Sequence, residues 1–76
     1  MNPQRDINLT FISSKGFDIY TADGLYKALK WLKTADADNL MYGESSGDEF
    51  DIMVGEMRRP MLIASVETAI REAGVS

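Results

Sequence analysis

Between residues 7 and 13, Ile7, Leu9 and Phe11 alternate with Asn8, Thr10 and Ile12, the period of a half-buried strand. Ser13-Ser14-Lys15-Gly16 reads as a turn, and Phe17-Asp18-Ile19-Tyr20 alternates again. Residues 7–20 are therefore predicted to form a β-hairpin, with Gly16 as its left-handed turn residue. Thr21 or Asp23 can cap the helix that follows, and Leu25, Ala28, Leu29 and Leu32 recur at helical spacing over about residues 24–33. After a connector at residues 35–38, residues 39–42 and 50–54 read as a second hairpin, with Phe50, Ile52 and Val54 alternating against Asp51 and Met53. Pro60 suits a first helical turn, and Leu62, Ile63, Val66, Ala69, Ile70 and Ala73 make an apolar face ending at Gly74, so a helix is predicted over residues 60–73. The same stretch also reads as a short fifth strand at residues 61–64 with a helix starting after Ser65.

The element order is ββαββα, and the two halves share a ββα pattern consistent with duplication. The predicted fold class is α+β: a four-stranded antiparallel sheet with two helices packed on one face. Leu9, Phe11, Phe17, Ile19, Leu40, Tyr42, Phe50, Ile52 and Val54 would face the helices, which makes Phe50→Ala a strongly destabilising change. Thr10, Ile12, Asp18, Tyr20, Met41, Asp51 and Met53 would line the opposite, open face.

Length places all of this in one domain, residues 1–76, with residues 1–6 as a flexible N-terminus. The beginning of the chain lacks the basic start and apolar run of a secretory leader, no stretch is apolar enough to span a bilayer, and cysteine is absent, so the expected location is cytoplasmic. The net charge of −4 disfavours non-specific attraction to nucleic acid or to an anionic membrane.

Without histidine or cysteine, triads built on either are impossible, and the commonest metal ligands are missing. The glycines are scattered and form no phosphate-binding loop. Asp36-Ala37-Asp38-Asn39 starts like a calcium loop but places Leu40 and Met41 where a donor and a glycine are required. Ser14 beside Lys15 reads as a turn, not as nucleophile and base. No enzyme, metal or cofactor is expected.

Two surface features remain. From Asp36 to Glu56 the chain holds seven carboxylates and no Lys or Arg, a run that could steer and hold a basic protein surface. Lys27, Lys30 and Lys33 with Tyr26 and Trp31 resemble a stacking surface for single-stranded nucleic acid, but the aromatics border the apolar stripe and direct nucleic-acid binding is not the favoured reading. The expected partner is a larger protein or complex with a basic surface, bound through Asp18, Tyr20, Asp36, Asp38, Met41, Glu44, Asp48, Glu49, Asp51 and Met53. Self-association into a homodimer is the structural alternative. In size, acidity and lack of catalytic residues the chain resembles the small phage-encoded inhibitors of host machinery, anti-CRISPR proteins among them. That profile implies masking of a nucleic-acid-binding surface, and no motif carries individual residues across.

Overall fold

The structure is a computed structural model that describes residues 3–41 and 48–75. Among these residues it contains three α-helices, α1 (Pro3–Ser14), α2 (Ala22–Thr34) and α3 (Glu49–Val75), a short 3₁₀ helix at Ala37–Leu40, and no strand. The α+β sheet, its open face and the duplicated ββα unit are thus replaced by an all-helical fold.

The first predicted hairpin is α1 and the connection after it. Proline at its first position and Asp6 in its first turn favour the helical start. Its buried residues are Asn8, Phe11 and Ile12, spaced three and four apart, whereas a strand would have turned Ile12 away from Phe11. Thr10 gives its hydroxyl to the Asp6 carbonyl at 2.8 Å, which keeps a β-branched residue compatible with the helix. Gly16 does adopt the left-handed conformation, φ 97°, but it ends a helix and not a hairpin. Asp18 then turns the chain by accepting the Tyr20 N–H at 2.8 Å, with Phe17 and Ile19 folded against the core.

The helix predicted at residues 24–33 lies within α2. Thr21 is its cap, with an extended backbone and its hydroxyl oxygen accepting the Gly24 N–H at 3.1 Å. Leu25, Ala28 and Leu32 are buried, as their spacing requires. Trp31 is half-buried, its ring 5.5 Å from that of Phe17 at a tilt of 43°.

α3 absorbs the predicted strand at residues 50–54, the predicted helix at residues 60–73, and the alternative strand at residues 61–64. Asp48 starts it by accepting the Asp51 N–H at 2.9 Å. Its inward positions run Val54, Gly55, Arg58, Arg59, Leu62, Val66 and Ala69, a helical period whose middle turn carries glycine and arginine instead of leucine. Those exceptions hide the helix from a hydrophobicity pattern.

Each exception does structural work. Gly55 meets the 3₁₀ turn so closely that a β-carbon there would stand 1.9 Å from the Ala37 carbonyl oxygen. Arg59 donates to the Leu32 carbonyl and, at 2.6 Å, to that of Ala35, while Glu56 receives its guanidinium at 2.7 Å. It thereby satisfies carbonyls at the α2 C-terminus, where positive charge is favoured by the helix dipole. Arg58 donates to the Leu40 carbonyl and lays its guanidinium 4.6 Å from the Phe11 ring centroid. Pro60 follows at once, at an exposed position inside α3, and removes the donor to the Glu56 carbonyl at a cost of about 3 kcal/mol. The two arginines offset that cost by tying α1, α2 and the 3₁₀ turn to the same stretch of α3.

The core comprises Phe11, Ile12, Leu25, Ala28, Leu32, Leu40, Leu62, Val66 and Ala69. Asn8 crosses from α1 to α3 and donates to the Ser65 hydroxyl at 2.8 Å, and Ser65 in turn donates to the Met61 carbonyl at 3.0 Å. Helices packed around this cluster leave the molecule 42 Å long and 17 Å thick, the length set by α3.

Candidate interaction surface

Once residues 49–75 are one helix, the outward side of its first half is defined by arithmetic. Phe50, Met53, Met57 and Met61 are spaced three, four and four residues apart, and so lie in one stripe. They are 64%, 53%, 65% and 49% exposed, and make up half of the large apolar side chains exposed among the described residues, the others being Ile7, Tyr20, Tyr26 and Ile52. Pro60 and Ala64, also exposed, extend the same side. One edge of the stripe carries the exposed carboxylates Glu49, Glu56 and Glu67. A contiguous apolar strip with a polar rim is the composition of a binding surface, and methionine and phenylalanine supply adaptable contact area.

This overturns the placement of Phe50 and Ile52 in the core, since both are exposed. Ile12, expected on an open face, is fully buried. Tyr42 and Glu44 lie outside the described residues.

The predicted site residues divide into groups. Asp48, Glu49, Asp51 and Met53 all lie at the start of α3, with Asp48 committed to capping it and Asp51 on the opposite side of the helix from Glu49 and Met53. Asp36 precedes the 3₁₀ turn and Asp38 lies within it; both line a shallow notch with Ile52, Glu56 and Arg59, and so approach one carboxylate of α3, that of Glu56. Met41, just after that turn, is half-buried. Asp18 and Tyr20 are set apart: the Asp18 carbonyl packs against Gly24 at the start of α2, whereas Asp36 and Asp38 follow its end, about 20 Å along the helix. No common face joins the nine of them that lie among the described residues. Met57, Met61 and Phe50 are the residues that a reading by strand period misses, and the 3-4-4 spacing they make with Met53 is the signal that finds them.

Lys27, Lys30 and Lys33 are exposed on α2 beside Tyr26, with Lys27 paired to Asp23 at 2.9 Å. Trp31 is turned inward against Phe17, so the basic side of α2 lacks the flat indole that base stacking would use. Among the described residues no cluster of three or more His, Cys, Asp or Glu side chains is placed to hold a metal ion. Among them, too, no helix is long and apolar enough to cross a membrane. No family model, curated protein or solved structure matches the chain, so the geometry of α3 is the basis for a functional reading.

Proposed function

We propose that the chain is a non-enzymatic protein-binding module, an inhibitor that masks a surface of a larger partner by laying the first half of α3 into an apolar groove rimmed by Lys and Arg. The observation that carries this reading is the stripe of Phe50, Met53, Met57 and Met61, exposed side by side and bordered by Glu49, Glu56 and Glu67. An amphipathic helix with anchors at this spacing is a recurring mode of groove recognition. The acidic rim and the net charge of −4 favour a basic partner surface, the kind used to hold nucleic acid, and oppose pairing of two such faces with each other. We place its action in the cytoplasm, in keeping with a domain held together by its core and helix ties without any cysteine.

The test is surface plasmon resonance with the partner recovered from the native host and then purified. Phe50→Ala with Met57→Ala is expected to raise the dissociation rate about 30-fold, the effect of losing a central anchor worth roughly 2 kcal/mol. Glu49→Lys with Glu67→Lys should chiefly slow association and flatten its salt dependence. Charge reversal of Lys27, Lys30 and Lys33 should change neither. Loss of binding in the lysine variant alone, with the stripe variant at full affinity, would transfer the function to α2 and its nucleic-acid reading. A wild-type chain that sediments as a dimer at the same concentrations, and whose dimer the stripe variant abolishes, would make the stripe a self-association surface.

A further inference from the structure

The stripe on α3 carries sulfur where docking needs only apolar area. Three of the chain's five methionines, Met53, Met57 and Met61, occupy successive turns of one helix face, each about half exposed or more. Among the described residues, neither the core cluster nor the partly buried side chains packed on it include a methionine. Cysteine is absent from the chain, so thioethers are the only side chains that a mild two-electron oxidant converts reversibly. The oxidisable groups and the residues that hold the fold are therefore separate sets, and the first of them coincides with the stripe.

We propose that Met53, Met57 and Met61 are a reversible oxidation site whose sulfoxide state turns the apolar stripe polar while the fold stays intact. The oxidant is a peroxide of the hydrogen peroxide class. The thioether sulfur attacks one peroxide oxygen with its lone pair, the O–O bond breaks as the S–O bond forms, and the second oxygen leaves as water after proton transfer. Sulfur gives up two electrons and the peroxide takes them. A thiol-dependent methionine sulfoxide reductase reverses the step, removing the added oxygen as water while two of its thiols close to a disulfide. The consequence for docking rests on the docking reading: an apolar groove offers the sulfoxide oxygens no donor, so burying them costs affinity.

The test treats the intact chain with hydrogen peroxide and follows it by peptide mapping, thermal unfolding and retention on a phenyl matrix, which reads exposed apolar surface without a partner. Met53, Met57 and Met61 should each gain one oxygen before Met41, which is half-buried after the 3₁₀ turn. The oxidised chain should melt within about 5 °C of the untreated one, as expected for changes at exposed positions. It should also elute earlier from the phenyl matrix, and the reductase should restore the original retention. A Met53→Leu, Met57→Leu, Met61→Leu variant, compared with itself before and after peroxide, should show no such shift. Oxidation of Met41 ahead of the stripe, a larger fall in melting temperature, unchanged retention of the oxidised chain, or a shift kept by the leucine variant would each overturn the site. Docking is decided by a different measurement, the partner kinetics of the Phe50→Ala, Met57→Ala variant, so failure of one reading is told from failure of the other.

Discussion

Gly55→Ala should destabilise the protein by about 3 kcal/mol, although alanine is the better helix former by roughly 1 kcal/mol at an unconstrained interior position. The opposite sign comes from one contact. The new β-carbon would lie 1.9 Å from the Ala37 carbonyl oxygen and 2.6 Å from its carbonyl carbon, backbone atoms that no rotamer change can move away. Relief requires the 3₁₀ turn to lift off α3, which would strain the Arg58 bond to the Leu40 carbonyl and uncover buried Leu40. For a domain of this size, about 3 kcal/mol corresponds to a fall of roughly 12–24 °C in melting temperature. Gly24→Ala should behave alike, since its β-carbon would meet the Asp18 carbonyl oxygen at 2.0 Å. A Gly55→Ala protein as stable as wild type would mean that α3 and the 3₁₀ turn do not touch as described.

Leu62→Ala is the second large effect, an expected loss of about 3–4 kcal/mol in urea unfolding with an unchanged denaturant dependence. Leu62 is fully enclosed at the centre of α3, in a cluster shared with α1, α2 and the 3₁₀ turn, so truncation leaves a cavity that three elements must collapse to fill. Leu62→Met should cost less than about 1.5 kcal/mol, because it conserves volume. Its neighbour Met61 points outward, and Met61→Ala should change stability by no more than about 0.5 kcal/mol. Equal losses at the two positions would contradict the helical register.

What was legible in the sequence is concentrated in α2. There the cap, the apolar spacing and the length agree, and Thr21, Leu25, Ala28 and Leu32 take the places their pattern assigns. α1 and the start of α3 were misread for a common reason. Short apolar runs such as Ile7 to Ile12 and Phe50 to Val54 satisfy alternation by two as well as helical spacing, and only the partner surface decides between them. In α3 the decision was further obscured because its inward middle turn holds Gly55, Arg58 and Arg59, and because Pro60 marks a start where the structure has an interior. Glycine within a helix at a close backbone approach and arginine spent on the carbonyls of another helix are tertiary facts, invisible to local propensity. The acidic character of the candidate surface was legible, as was Met53. Its apolar centre was not, because Phe50 was assigned inward by the wrong period.

The most direct measurement of the central claim, that the first half of α3 presents its apolar side outward, is the thermal unfolding of the Phe50→Ala, Met53→Ala, Met57→Ala triple variant. All three side chains are more than half exposed, so their truncation forfeits little burial, and alanine improves helix propensity at each position. The account predicts a melting temperature equal to that of wild type or slightly above it. A fall of about 10 °C or more, the mark of lost core contacts, would contradict it.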